Sequence, residues 1–207
     1  MNNTFNISEW ANGFFSWNQL KSLFLYNEGE PLIFTAFFFW GFFAIALLVY
    51  SIIHKKRGVR NAFLFFASLF FYYKTSGLFI TILLFSTFSD FFIGKFIYSS
   101  QKKISKQLLV ALSVIINLFV LCYFKYAYFF TDAYNQMFDT KYTVFNHFAQ
   151  FANDTVGTSY SVNQILLPVG ISFFTFQTIS YSVDVYKEKI KPVTNLLDFG
   201  FYVSFFP

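Results

Sequence analysis

Long apolar stretches alternate with short polar connections along most of the chain. A helix needs about 20 mostly apolar residues to cross the ~30 Å hydrocarbon layer of a membrane. The pattern therefore predicts an all-α, polytopic transmembrane protein. Its spans are predicted at about 31–53, 61–73, 78–98, 107–130 and 168–186, with the start of a further one at 198–207. Residues 1–30 are polar and slightly acidic, and their tryptophans predict an outer interfacial leader.

The 61–73 stretch is short for a span, since thirteen residues make only ~20 Å of helix. It either crosses a locally thinned bilayer or re-enters the membrane without crossing it. We favour two tilted crossings that form a hairpin, with a turn at 74–77 between the short helix and the 78–98 helix. Pro168 is expected in the first turn of its helix, where its missing N–H costs nothing.

Basic residues cluster in three connections, and such clusters mark the cytoplasmic side of a membrane. Ten of the fifteen Lys and Arg residues lie in these connections, namely Lys55, Lys56, Arg57, Arg60, Lys102, Lys103, Lys106, Lys187, Lys189 and Lys191. The 131–164 connection carries three aspartates against Lys141 alone and is predicted to lie outside. The pattern predicts a membrane protein with its basic connections in the cytoplasm and its N-terminus outside.

Composition narrows the functional class. The 207 residues are 56% hydrophobic and only 12% charged, whereas soluble domains carry roughly 25% charged residues. This excludes a cytosolic enzyme and a nucleic-acid binder despite the net charge of +5. The single cysteine, Cys122, excludes a disulfide scaffold and a Cys-rich metal site, and no metal site is expected.

Ionisable groups at membrane depth are costly and suggest function. Asp90 either lines a polar cavity that contacts substrate or bonds a neighbouring helix. Lys125 either snorkels beside an aromatic belt or faces an internal pathway. One hydroxyl stripe at helical spacing either permits close helix packing or forms a polar wall of a substrate passage, and it consists of Ser172, Thr175, Thr178 and Ser182.

Neither histidine has the neighbours of a catalytic base. His54 belongs to a basic connection, and His147 lies in the predicted outer connection without a nucleophile or carboxylate at a recognisable spacing. No metalloprotease, nucleotide-binding or serine-hydrolase motif is present. Composition and residue spacing alone therefore identify a polytopic membrane protein but not its function.

Two motifs go further. Residues 166–186 read LLPVGISFFTFQTISYSVDVY, and residues 195–207 read NLLDFGFYVSFFP. Together they resemble the membrane-bound O-acyltransferase family, in its alginate O-acetyltransferase-like branch. Weaker matches precede them in the right order at 63–73, at 85–94 (FSTFSDFFIG) and at 124–130 (FKYAYFF). The resemblance covers about residues 31–207.

The resemblance implies part of a ring of membrane helices that passes an acyl group, in this branch acetyl, to hydroxyls of an extracellular polysaccharide such as alginate. It implies no bound cofactor, a donor such as acetyl-CoA or an acyl carrier on the cytoplasmic side, and an extracytoplasmic acyltransferase or polysaccharide partner. The family's catalytic His lies downstream of the FFP motif. The chain is thus expected to be an N-terminal fragment, inactive alone, with no catalytic residue of its own.

Two other functions stay open. Within the same family, a D-alanyl transfer protein for teichoic acid is the nearest alternative. From a different class, the chain could be a non-catalytic transporter or scaffold that uses Asp90 and Lys125 along a polar path. The leader and the 131–164 connection do not distinguish these functions.

Overall fold

The computed structural model describes Tyr26 and residues 37–205. These residues form helices and no strand, as an all-α chain should. The helices are α1 (Phe37–Ile53), α2 (Arg57–Ser76), α3 (Ile80–Ser99), α4 (Lys103–Phe138), α5 (His147–Val156), α6 (Ile171–Tyr186) and α7 (Leu196–Ser204), with a 3₁₀ turn at Gly77–Phe79 joining α2 to α3. Residues 1–25, 27–36, 206 and 207 lie outside the described residues, and this range includes all of the predicted leader except Tyr26.

Two helices are longer than the apolar pattern predicts. Helix α2 continues through Ser76, so the predicted turn at 74–77 is displaced to the 3₁₀ segment. Its 20 residues make ~30 Å of helix, which is long enough to cross a membrane. Helix α4 continues eight residues past the predicted end at 130 and stops at Asp139, which adopts a left-handed conformation. Hydropathy identifies only the part of a helix that faces lipid. Polar residues such as Asp132 and Asn135 can continue the same helix in water, where hydropathy does not detect it.

Two further predictions about helix starts and connections are corrected. Helix α6 begins at Ile171 rather than at Pro168, because Gly170 has a positive φ of 71° that an α-helix does not accommodate. The 131–164 connection is only partly a loop, because α5 lies within it. Asn146 caps α5 by accepting a hydrogen bond from the backbone N–H of Ala149.

The helices pack in two groups that share α3. Helix α6 lies against both α3 and α4, and α7 lies against both α2 and α3. The ring of Phe199 on α7 is 5.9 Å from that of Phe91 on α3. Gly200, the next residue, approaches Phe65 of α2 so closely that a Cβ there would lie 2.6 Å from its ring. Helix α7 therefore fills the space between the two arms of the α2–α3 hairpin.

Segments predicted to share a side of the membrane lie at one end of the bundle. Lys106 pairs with Glu188 over 2.9 Å, which joins the second basic connection to the third. The Asn61 amide donates to Asp198 over 2.9 Å, which brings the first connection to the start of α7. At the opposite end, the Tyr160 hydroxyl accepts from the backbone N–H of Leu78, beside the turn between α2 and α3.

Helix α4 buries a stripe that is half polar and half apolar, and it exposes an apolar face. Its four buried residues form one stripe, consisting of Ser113, Asn117, Leu121 and Phe124. Its exposed face carries large apolar side chains such as Leu108, Ile115 and Phe119. Among the described residues, Arg57–Ser99 and Lys103–Phe138 are long and apolar enough to cross a membrane. The structure is that of an all-α membrane protein.

Candidate functional site

Asp90 lies at the centre of a buried polar cluster formed by α3, α4 and α6. On α3, Ser86, Asp90 and Gly94 follow one another at intervals of four residues and so face the same neighbours. The Asp90 side chain is fully buried. Because a buried polar group is stable only when it is hydrogen-bonded, the neighbouring helices must supply its partners.

Helix α4 supplies the two shortest contacts to Asp90. The Ser113 hydroxyl donates to Oδ1 of Asp90 over 2.5 Å, and the Asn117 amide donates to Oδ2 over 2.7 Å. The same amide also donates to the Ser113 carbonyl over 3.0 Å. Both carboxylate oxygens of Asp90 are therefore bonded from one helix.

Helix α6 completes the cluster. The Ser182 hydroxyl donates to Oδ1 of Asp90 over 3.4 Å, and the Thr178 hydroxyl donates to Oδ1 of Asn117 over 3.1 Å. Ser86 donates to the same Asn117 oxygen over 2.8 Å. Thr175 is also fully buried, and its hydroxyl makes no hydrogen bond within the part of the chain that the structure describes.

The cluster carries a carboxyl group without a cationic partner among the described residues. Lys95, one turn along α3, turns away and places its ammonium 4.1 Å from the centre of the Phe91 ring. Neutral donors from two helices therefore do all the hydrogen bonding to Asp90. The side chain has no accessible surface, and this geometry allows Asp90 to hold the helices together.

Lys125 and Ser172 form a second site that is separate from the cluster. The Lys125 ammonium donates to the Ser172 hydroxyl over 3.1 Å. Lys125 is exposed, and Ser172 is half-buried and borders a shallow surface groove with Phe173 and Tyr202. Eight helical residues, or ~12 Å, separate Lys125 from Asn117 of the cluster.

The structure thus divides the six predicted site residues into two groups. Asp90, Thr178 and Ser182 are brought together, with Thr175 one turn from Thr178, while Lys125 and Ser172 pair elsewhere. Ser86 and Ser113 also belong to the cluster, and the sequence analysis missed them. Their spacing contained a signal, because Ser86 precedes Asp90 by four residues and Ser113 precedes Asn117 by four.

Neither histidine belongs to these sites. His54 is exposed, and its Nδ1 lies 2.7 Å from the Ser51 carbonyl at the basic end of the bundle. His147 is exposed at the start of α5, near the opposite end. Among the residues that the structure describes, no group of three His, Cys, Asp or Glu side chains could hold a metal ion.

The motifs that carry the family resemblance pack against one another. Gly94, which ends the 85–94 motif, lies under the Tyr181 ring of the 166–186 motif, where a Cβ would come within 2.7 Å of the ring. Tyr181 in turn contacts Phe199 of the 195–207 motif, with ring centres 4.5 Å apart. The Tyr181 hydroxyl accepts from the backbone N–H of Val193 and so holds the approach to α7. Segments distant in sequence therefore form one packed core.

Comparison with curated proteins gives a consistent set of relatives. The chain is 36% identical over 152 residues to the probable alginate O-acetylase AlgI of Azotobacter vinelandii, which covers 72% of this chain and 27% of the relative. It is 34% identical over 149 residues to the probable alginate O-acetylase AlgI of Pseudomonas aeruginosa, which covers 72% of this chain and 26% of the relative. It is 27% identical over 200 residues to the peptidoglycan O-acetyltransferase of Helicobacter pylori, which covers 84% of this chain and 34% of the relative.

These matches cover most of this chain but only a part of each relative. The chain spans between about a quarter and a third of the length of these relatives. No family model and no solved structure matches it. The relatives nevertheless agree with one another and with the motifs that form the packed core. The chain belongs to the membrane-bound O-acyltransferase family.

Proposed function

We propose that the chain is part of a membrane enzyme that transfers an acetyl group to hydroxyls of an extracellular polysaccharide. The observation that carries this proposal is its similarity to alginate O-acetylases at 34–36% identity over 72% of the chain. The packing of Gly94 against Tyr181, and of Tyr181 against Phe199, supports it by linking three motifs of the resemblance. The relatives named above are acetyl-transfer proteins, which favours acetyl over D-alanyl transfer and over a transporter or scaffold.

Two polysaccharides are candidate acceptors. Alginate is favoured by the higher identity to the alginate O-acetylases. Peptidoglycan is the second candidate, because the peptidoglycan O-acetyltransferase matches a larger share of this chain, 84%. Both offer sugar hydroxyls, and an acyl transfer to either requires a base that removes the hydroxyl proton. His54 and His147 lie at opposite ends of the bundle, and neither is proposed as that base.

The proposal also fixes an orientation. The three basic connections face the cytoplasm, where a donor such as acetyl-CoA or an acyl carrier is available, and the N-terminus and α5 face outside in the cytoplasmic membrane of a bacterium. An extracytoplasmic acyltransferase or the polysaccharide itself then receives the acetyl group. The Lys106–Glu188 pair and the Asn61–Asp198 bond support this orientation, because they bring the three basic connections to one end.

The structure suggests different roles for the two groups of predicted site residues. We assign the substrate passage to the side of Lys125 and Ser172, because both have accessible surface. The other four residues do not line that passage but hold the helices beside it in place. They are the buried residues Asp90, Thr175, Thr178 and Ser182. The Lys125 ammonium supplies a positive charge for an anionic group that moves along the α4–α6 surface.

Deletion of the gene in its own organism tests the function. We expect the acetyl-ester content of one surface polysaccharide to fall to background, and base-released acetate from purified alginate and from purified peptidoglycan tells the two acceptors apart. D-alanine released from teichoic acid is the control and should not change. Unchanged acetate in both polysaccharides, or a loss of D-alanine, would overturn the proposal.

A further inference from the structure

An apolar groove lies apart from the polar cluster and shares no lining residue with it. Helices α1, α2 and α7 form its walls, and it encloses a volume of about 570 Å³. Its lining is mostly aromatic and aliphatic and includes Phe42, Ala46, Ala67, Phe71 and Phe201. The groove is therefore shaped for an apolar chain.

The groove runs along the helices and has one polar end. Arg60 and Tyr50 line it at the basic end of the bundle, while Phe42 and Phe71, whose rings are 6.4 Å apart, line it further in. Eleven residues of α2 separate Arg60 from Phe71, which is ~16 Å along the axis. This length is close to half of the ~30 Å hydrocarbon layer, or one leaflet.

Arg60, which lines the polar end of the groove, is one of four cations in a short segment of the chain. Lys55, Lys56, Arg57 and Arg60 lie within six positions of the chain, and no carboxylate pairs with any of them among the described residues. The nearest acid in this network, Asp198, is bonded to the Asn61 amide. The Nε–H of Arg60 donates to Asn61 over 3.2 Å, and its terminal amines have no partner in the described part of the chain.

An arginine held in this way is suited to bind a phosphate group. Its fixed Nε contact orients the planar guanidinium, and the terminal amines can donate to two phosphate oxygens. The neighbouring lysines add attraction for a negative headgroup at the cytoplasmic surface. An apolar groove one leaflet long that ends at such a group matches a phospholipid with a net negative charge.

We propose that this groove binds one acidic phospholipid, with its phosphate on Arg60 and one acyl chain between α1, α2 and α7. The site differs from the acyl-transfer path of the proposed function, because an acetyl group is too short to fill a groove of this length. A zwitterionic lipid places a cationic amine beside the same four cations and binds more weakly.

Native mass spectrometry of the purified chain in detergent tests the proposal. Phosphatidylglycerol and phosphatidylcholine with identical acyl chains are added at equal concentration. We expect one phosphatidylglycerol per chain and about tenfold less phosphatidylcholine, and Arg60→Gln should lower phosphatidylglycerol retention about tenfold. Lys103→Gln, in another basic connection, is the matched charge control and should have no effect. Equal retention of the two lipids would contradict the proposal.

Filling the groove tests the acyl-chain half of the site. Ala67→Phe and Ala46→Phe, on two different walls, should each lower retention of both lipids, whereas Ala111→Phe on the exposed face of α4 should not. Helix content by circular dichroism identifies any variant that fails to fold. In the unaltered chain, phosphatidylglycerol with a photoreactive acyl chain should crosslink within residues 42–50 and 60–71. Crosslinks confined to α4, or full retention by folded Ala67→Phe, would overturn the site.

Discussion

The Asn117 amide donates to Oδ2 of Asp90 over 2.7 Å, while the Asn117 side-chain oxygen accepts from Ser86 and Thr178. One side chain of α4 therefore bonds residues of α3 and of α6. These three helices also carry three of the segments that match the acyltransferase family, 85–94, 124–130 and 166–186, and Asp90 and Thr178 are members of two of them. The buried polar contact and the packing of the motifs are parts of the same core.

Replacing Asn117 tests how much this core depends on the contact. Asn117→Leu keeps the branched shape of the side chain but leaves the Asp90 oxygen and two hydroxyls without their partner, and a buried unsatisfied group costs about 1–3 kcal/mol. We expect the free energy of unfolding in bicelles to fall by about 2–3 kcal/mol. Leu118→Ala, on the exposed face of α4, is the control and should stay within about 0.5 kcal/mol. Equal effects of the two changes would count against the contact.

Ser182 makes the longest bond in the cluster, to Asp90 over 3.4 Å, and accepts from Ser113 over 3.1 Å. Ser182→Ala should therefore cost only about 0.6 kcal/mol, the average of interhelical hydrogen bonds measured in membranes. The same unfolding measurement checks this value. A loss of unfolding free energy as large as that of Asn117→Leu would contradict the prediction that the Ser182 bonds contribute less than the Asn117 bonds.

Gly94 is predicted to tolerate no side chain. A Cβ there would lie 2.7 Å from the Tyr181 ring, so Gly94→Ala must push α3 and α6 apart. We expect a loss of about 1–3 kcal/mol, as for other overpacked cores. Gly41→Ala on α1 is the matched control, because no atom lies within 4 Å of its Cβ and alanine favours helix. The midpoint of thermal unfolding should fall for Gly94→Ala and hold or rise for Gly41→Ala.

The proposed orientation predicts which loops a membrane-impermeant reagent reaches. In a Cys122→Ser background, Tyr142→Cys should react with an impermeant maleimide on intact spheroplasts. Lys103→Cys should react only after permeabilisation, because it lies in a basic connection. Both positions are exposed in the structure, so burial does not protect either of them. Labelling in the reverse order would place the N-terminus inside.

The sequence was sufficient for the membrane class and for most of the buried face of α6. Charges and long apolar runs are strong signals, and the hydroxyls at 175, 178 and 182 share a helical face by spacing alone. Helix ends were less predictable, since α2 and α4 continue into polar residues that hydropathy assigns to loops. The prediction that α6 starts at Pro168 was wrong, because Gly170 interrupts the helical conformation two residues later.

Tertiary partners could not be predicted from one helix at a time. The pairing of Lys125 with Ser172, and of Ser182 with Asp90, depends on how α3, α4 and α6 pack against one another, which no local pattern records. Ser113 looks ordinary in sequence and becomes a partner of Asp90 only when α3 and α4 meet. The same holds for Gly200, whose need for a small residue appears only when Phe65 is placed against it.

The central claim is that this chain is the corresponding part of a polysaccharide O-acetyltransferase. The most direct measurement replaces the aligned 152-residue segment of the Azotobacter vinelandii alginate O-acetylase with that of this chain and determines the acetate content of the secreted alginate. The account predicts acetylated alginate from the chimera, and less from the same chimera with Gly94→Ala. A chimera that is folded and inserted in the membrane but yields alginate without acetate would contradict it.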